Sequence, residues 1–548
     1  MKLHHVGYCA LALSALAVSC KDDVRDEEVP TVSITSPEAN TKTWLDVPVA
    51  VEVNDNQGVS KVAFYLDDEL LGEDTEAPFE LSFNSKEYED GTYTLRTVAY
   101  DGTDNISESS QDIEIFNKLL QVNVQGNYIT ENRQAAWVVV ANEEGEVVES
   151  IKLANDESFT VNRPEGMTDD QIQVVFLSNW MYNEDGYVSV EQYQNVHPNE
   201  MTIEGYSATA QSDPIGSATL KYTVPADHSY SLNTSNITYQ FGNSLSNSDG
   251  SVEHEVTLDI KDQPALAFLQ VEDIEVSQEV APLYHWLGDI EIGGDYTVKQ
   301  EDLIPMATIQ EVITPADESF YMNVSGKTSN DDYFLLSSSA KPEGASNFKV
   351  YGPEDVFEDY RYQLSIGKDN IRYYTTGFGI PSSSYQVPQV DFQFTTNRHD
   401  LASATTSFDA DYTRSFWMYN ESNIDKWRII YWSVYGDANN GNIEHKRIVL
   451  PAEVIEDFSI LQAHIDDVTF HETSLSKEEA ISSTDDVFKY RFVSGMNQTD
   501  GESESFTIYP EYQNTRTAQQ LTGRHGTIIK VPSHKYFEKE LRYHHGLK

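Results

Sequence analysis

Tyr93-Thr94-Leu95-Arg96-Thr97-Val98-Ala99-Tyr100 reads as the longest strand near the start of the chain. It follows the turn signal Asp90-Gly91 and runs into a second one, Asp101-Gly102-Thr103-Asp104-Asn105. Outward from it, Pro78-Phe79-Glu80-Leu81-Ser82-Phe83, Val62-Ala63-Phe64-Tyr65-Leu66 and Val47-Pro48-Val49-Ala50-Val51-Glu52-Val53 read as further strands. Asp67-Asp68, Gly58 and Asn54-Asp55 punctuate them, as turn residues do. In Thr31-Val32-Ser33-Ile34 the apolar residues fall on one face and the hydroxyls on the other, the period-two pattern of a half-buried strand. With Leu70-Leu71-Gly72 and Gln111 to Phe116 this makes seven short strands with a turn about every ten residues, which predicts a Greek-key sandwich.

The same residues carry a family resemblance. Ile34-Thr35-Ser36-Pro37, the run Val59-Ser60-Lys61-Val62-Ala63-Phe64-Tyr65-Leu66-Asp67, Leu71-Gly72-Glu73-Asp74-Thr75, Ala77-Pro78-Phe79 and Asp90-Gly91-Thr92-Tyr93 resemble the bacterial Ig-like domains of secreted enzymes and adhesins. The resemblance covers residues 30–117 and implies an Ig-like spacer. Asp67, Asp101 and Asp104 read as turn formers rather than calcium ligands.

Ahead of this domain, Met1-Lys2 leads into Ala10-Leu11-Ala12-Leu13-Ser14-Ala15-Leu16-Ala17-Val18 and then Ser19-Cys20-Lys21-Asp22-Asp23. The apolar run is about a dozen residues, short of the roughly 20 that a spanning helix needs, and has the layout of a secretory signal. Ala17-Val18-Ser19-Cys20 resembles the bacterial lipoprotein lipobox, with Ala17 where Leu is usual. Lys21-Asp22-Asp23 resembles the export signal that takes lipoproteins of Bacteroidota-type bacteria to the outer face of the outer membrane. The resemblance implies a signal peptide over 1–19, lipidation of Cys20, a charged tether over 20–29 and a lipid-anchored place on the cell exterior. Cys9 and Cys20 are the only cysteines, so the processed chain is expected to hold no disulfide and each domain to stand on its core alone.

At 548 residues the chain is too long for one core, and about three to five domains are expected. Glycine, proline, tyrosine and β-branched residues are spread throughout, and long helical stretches are missing. The fold class expected is therefore all-β, a tandem of β-sandwich domains with the Ig-like one first. Strand runs such as Trp137-Val138-Val139-Val140-Ala141 and Glu255-Val256-Thr257-Leu258-Asp259-Ile260 divide the remainder. The divisions are a β-sandwich over 118–214, a second over 215–317, a β-rich unit over 318–400, an aromatic-rich β unit over 401–516 and a basic tail over 517–548.

The formal charge of −54, from 90 acidic against 36 basic residues, disfavours partnership with nucleic acid. It reads as a solvated acidic surface, with calcium at carboxylate clusters as the sharper alternative. No Gly-x-Ser-x-Gly elbow, His-Glu-x-x-His helix or phosphate loop is present. Asp437-Ala438-Asn439-Asn440-Gly441 is a partial calcium-loop pattern, with Asp437 and Asn439 as candidate metal ligands, but a hairpin tip is the plainer reading. No other cofactor is expected. His464, Asp466, Asp467, His471 and Glu472 form the compact His/acid cluster, and in a regular strand His471 and Glu472 point to opposite faces.

The aromatics are the remaining candidates. Sugar rings dock on Trp and Tyr because their C–H faces pack on the ring while polar neighbours take the hydroxyls. Trp417 and Tyr419 share one strand face, and Trp180, Tyr182 and Tyr187 surround the Asp185-Gly186 turn. Trp427-Arg428-Ile429-Ile430-Tyr431-Trp432-Ser433-Val434-Tyr435 is apolar on both faces and predicts a central, doubly buried strand. The expected function is a cell-surface lipoprotein that binds glycan without converting it, resembling the glycan-binding proteins that work beside outer-membrane nutrient importers. A structural or adhesive surface protein, or a subunit of an outer-membrane complex, is the second class. A carbohydrate-active enzyme is the third.

Overall fold

The computed structural model describes residues 27–103, 105–205, 213–225, 228–239, 252–273, 280–329, 332–341, 345–423, 426–493 and 502–510. Cys20, the signal segment and the basic tail over 517–548 lie outside the described residues. Where described, the chain is all-β, with three short helices: α1 (Ala452–Glu456), α2 (Ser459–His464) and α3 (Thr484–Phe492). None of these is long and apolar enough to cross a membrane. The chain divides into two compact units, one ending at Asn117 and one beginning at Lys118.

The first unit is a sandwich of a three-stranded and a five-stranded sheet. Strand Gly91–Asp101 sits inside the larger sheet, between Val59–Leu66 and Ile106–Ile115. Val47, Val49, Phe64, Phe83, Leu95 and Ile113 fill the core, with Val32 and Ile34 packed against it. Of the acidic turn residues, Asp67 ties its turn to the neighbouring strand, Asp101 closes its own turn, and Asp104 lies outside the described residues. Asp67 takes a φ of 50° and accepts from the Thr94 amide at 2.8 Å. Asp101 accepts from the amides of Thr103 (2.7 Å) and Asn105 (2.9 Å), the self-closing geometry of an Asx turn.

The second unit is built on one twelve-stranded sheet. Its order is Val147–Lys152, Ala136–Ala141, Ile172–Tyr182, Asp185–Val196, Trp427–Gly436, Tyr412–Ser422, Thr469–Glu478, Ser503–Ile508, Ile371–Phe378, Asp359–Lys368, Ser319–Lys327 and Tyr333–Ala340. Stretches that the sequence set apart, 118–214, 318–400 and 401–516, thus contribute neighbouring strands to it. The joint is the parallel pairing of Asp185–Val196 with Trp427–Gly436, Tyr187 opposite Ile429 and Tyr193 opposite Tyr435. Both strands are largely buried on both faces, so each needs a neighbour on each side, and hairpin partners fill only one edge apiece. Residues 216–305 build a four-on-four sandwich of their own, around Leu220, Leu258 and Leu269.

Two cores cover one face of the large sheet. Trp417, Ile430, Trp432 and Val434 pack beneath α1 and α2, with Phe458 and Leu461. Further along, Met322, Leu364, Phe506 and Leu475 pack with Val312, Phe348 and Ile443 from smaller sheets. On the opposite face, among the described residues, one end is sandwiched, where Val174, Phe176, Tyr193, Tyr412 and Tyr435 meet the Lys118–Val124 layer and α3.

Candidate functional site

That opposite face continues past α3 and carries a row of aromatic rings. Under α3, Tyr193 stacks on Tyr435 with centroids 4.9 Å apart and meets Phe488 at 5.6 Å. Because a strand returns a side chain to the same face every second residue, Tyr187 and Tyr431 share this face, further along the same strands. Beyond the helix the rings connect in series. Trp427 lies 6.1 Å from Tyr187, Tyr187 is 5.9 Å from Tyr431, and Tyr431 stacks on Phe416 at 6.1 Å and 22°. Phe416 is 5.9 Å from His471, and His471 is 5.8 Å from Tyr509. Strands spaced about 4.8 Å apart make this a band of roughly 20 Å across the sheet. It is open to solvent at one end, where Trp427 is 39% exposed.

Local backbone features place the end members. Trp180 and Tyr187 are direct cross-strand partners in a tight hairpin. Gly186 permits that closure, since a Cβ there would lie 2.0 Å from the Trp180 carbonyl oxygen. Asn183 takes the left-handed turn position at φ 59°. His471 enters the row through a β-bulge: Phe470 pairs with Trp417 and Glu472 with Phe416, leaving His471 as the extra residue. In a regular strand His471 and Glu472 would diverge. The bulge turns both toward Phe416, with His471 Nε2 3.9 Å from the Glu472 carboxylate. Glu472 is itself buried and paired with Arg414 Nη2 at 2.7 Å. Burial holds the His471 imidazole below its usual pKa, against the raising effect of Glu472. Burial, and then Glu472, holds the Tyr509 phenol well above its usual value. Both rings are therefore neutral near pH 7, as a stacking surface requires.

The candidates from sequence separate across the sheet. Trp180 is half-buried on the ring face, and Tyr182, at 70% exposed, stands at its open corner. Trp417 is a correction: it is 0% exposed on the opposite face, edge-on to Phe470 at 5.4 Å, with Nε1 donating to the Arg398 carbonyl. Tyr419 shares that opposite face and is half-buried, stacked on His464 at 4.2 Å. The His/acid cluster is thus split, with His464 and Asp467 on one side and His471 and Glu472 on the other.

Asp437 is turned away from the hairpin tip. Oδ1 accepts from the Thr484 amide and hydroxyl, both at 2.7 Å, and Oδ2 from Asn195 Nδ2 at 3.1 Å. It ties the start of α3 to the sheet. Asn439 closes the tip through backbone bonds with Asn442. Among the described residues, no group of three or more His, Cys, Asp or Glu side chains is arranged to hold a metal. Asp437→Ala is expected to cost about 1.5–3 kcal/mol, the range for hydrogen bonds to a charged group, seen as a lower urea midpoint. A wild-type midpoint that rises on adding calcium, and stops rising in the variant, would instead put a metal on Asp437.

Sequence reasoning missed Phe416, His471 and Tyr509 as members of the row. The signal was present as aromatic residues at alternate positions, but nothing local says which face α3 leaves open.

Residues 30–96 match the model of the bacterial Ig domain family. No curated protein matches the chain. Among solved structures, the chain is similar to the fibronectin(III)-like modules of CbhA from Clostridium thermocellum, with 30% identity, 16% of this chain and 94% of that one covered, and a TM-score of 0.15. It is also similar to SGBP-B of the Bacteroides ovatus mixed-linkage glucan utilization locus, in complex with a mixed-linkage heptasaccharide, with 11% identity, 60% and 93% covered, and a TM-score of 0.15. A tetra-tandem repeat from the extending region of a large adhesion protein shows 10% identity, 83% and 95% covered, and a TM-score of 0.14.

Proposed function

We propose that the chain is a surface lipoprotein, anchored through acyl chains on Cys20, whose second unit binds a polysaccharide along the ring row. The observation that carries the reading is the unbroken series from Trp427 through Tyr187, Tyr431 and Phe416. Trp427 is 39% exposed and Tyr187 and Tyr431 are half-buried, so these three offer apolar ring surface to a ligand's C–H faces, with the buried Phe416 packed behind them. The hydroxyls of Tyr187 and Tyr431 keep the edges of that surface polar, the combination that sugar rings need. Attachment by lipid gives the protein a place outside the cell without a spanning helix, and the Ig-like unit then serves as the spacer.

The test is retardation of the purified protein in native gels cast with single polysaccharides, followed by calorimetry on those that bind. Losing an aromatic contact surface is worth about 1.5–3 kcal/mol, so Trp427→Ala and Tyr187→Ala are each expected to weaken binding roughly ten-fold or more. Trp417→Ala, on the buried face, is expected to leave the affinity of the folded protein alone. Unchanged binding in both ring variants would sink the proposal, and product formation from the same polymers would move the chain to the enzyme class.

A further inference from the structure

We infer that the polysaccharide bound by this face is acidic, a uronic-acid polymer whose carboxylates meet Arg361 and Arg372. This rests on the reading that the same face binds glycan.

The ring face does not stop at Tyr509. Next to it lie strands Ser503–Ile508, Ile371–Phe378, Asp359–Lys368 and Ser319–Lys327, whose other face is packed into a core. In Ser319–Lys327 buried and half-buried residues alternate, so one face alone is sealed. The registers put Tyr374, Ser365 and Tyr321 in one cross-strand row, and Thr376, Gln363 and Asn323 in the next. Arg372 flanks the first row and is exposed. Arg361 flanks the second, with its guanidinium 5.7 Å from the Tyr333 ring, and Lys327 Nζ is 5.9 Å from that ring.

The charge on this stretch runs against the rest of the protein. The chain has 90 acidic and 36 basic residues. Yet on these four strands the charged side chains of this face are Arg361, Arg372 and Lys327 against Asp359, which pairs opposite Lys327. At the neighbouring strand Glu472 is already neutralised by Arg414, and Glu478, opposite Ser503 at the end of the second row, accepts from the Tyr412 hydroxyl. Amide and hydroxyl groups fill the rest. A guanidinium fork matches a planar carboxylate through two parallel hydrogen bonds. Beyond about 8 Å the acidic body is screened at physiological salt, so the local sign governs the contact. A densely sulfated chain would bring more negative charge than two arginines offset, whereas a uronic acid brings one charge per sugar. The Asp359 strand lies four strand spacings from the Phe416 strand, roughly 20 Å. Only a polymer or long oligomer reaches both the rings and the arginines.

The experiment compares polygalacturonate, a neutral polysaccharide and a sulfated one by calorimetry at low and physiological salt. The expected result is tightest binding to polygalacturonate, weakened by salt. Arg361→Gln with Arg372→Gln should lower that affinity about ten-fold or more, while any neutral polymer that binds does so within about two-fold of wild type. The second outcome shows the variant folded. Arg372→Lys, which keeps the charge but loses the fork, should fall in between. If a neutral polymer binds in a Trp427-dependent way and polygalacturonate binds no better, this inference fails and the glycan reading stands. The same holds if the sulfated polymer binds best. If nothing binds and the ring variants change nothing, both fall.

Discussion

Trp417→Ala is expected to lower the stability of the second unit by about 3–5 kcal/mol, the cost of truncating a large aromatic in a packed core. Trp417 is fully buried, opposite Trp432 in the register, among Val434, Phe470 and the residues of α2. Its Nε1 bond to the Arg398 carbonyl would be lost as well, leaving that acceptor without its donor. Neighbouring side chains belong to three layers and cannot collapse into the void together, which puts the cost toward the upper end. Trp427→Ala gives the reciprocal phenotype: a small change in stability, because the side chain is 39% exposed, and a loss of ligand binding. Urea unfolding followed by tryptophan fluorescence measures the first quantity and calorimetry the second. A Trp417 variant with near wild-type stability would show that this face is not a core.

Acid should destabilise the second unit through His445. The imidazole is 0% exposed, and burial pushes its pKa from 6.5 down to about 3. The hydrogen bonds around it select one neutral tautomer. Thr413 Oγ1 spends its proton on the Gly436 carbonyl at 2.8 Å, so it must accept from His445 Nε2 at 3.0 Å. Nδ1 is then left to accept from Ser415 Oγ at 2.7 Å, and a second ring proton would break that bond. The sign follows from the depressed value. Above pH 6.5 both folded and unfolded chains hold a neutral ring, and the full stability is present. As pH falls below 6.5 the unfolded chain takes up a proton that the folded one refuses, and stability is lost until pH reaches about 3. The slope approaches about 1.4 kcal/mol per pH unit within that window. Urea midpoints at a series of pH values for the wild type and His445→Gln isolate the contribution, since other titrating groups act on both. Parallel pH profiles for the two proteins would refute it.

How much of this could be read in advance differs along the chain. In residues 30–117 alternation and short turns mark each strand, and Asp101 closes its own turn. Which strands pair is less local even there, since Lys42–Thr43 lies beside Ile106–Ile115 and Val59–Leu66 beside Gly91–Asp101. In the second unit the pairing of Tyr187 with the Trp427 strand joins residues more than two hundred positions apart, and no periodicity encodes that distance. The run from Trp427 to Tyr435 shows why. It predicts a central strand, as observed between two neighbours, but both of its faces look equally apolar. Only the seating of α1 and α2 on one side, and of α3 over part of the other, separates Trp432 in the core from Tyr431 in the row.

Composition and alternation by themselves determined the β architecture and the sandwich of the first unit, a family resemblance marked that unit as Ig-like, and the sequence supplied the aromatic residues of the candidate site. Tertiary structure alone decided which of those aromatics lie in the core and which lie on the other face of the sheet. A strand presents its two faces with equal grammar, and burial is conferred by whichever layer arrives from elsewhere in the chain. The same limit hid His471, because one extra residue between Phe470 and Glu472 changes the face on which a side chain emerges. That shift depends on how the partner strand is hydrogen-bonded, not on the residues that make it.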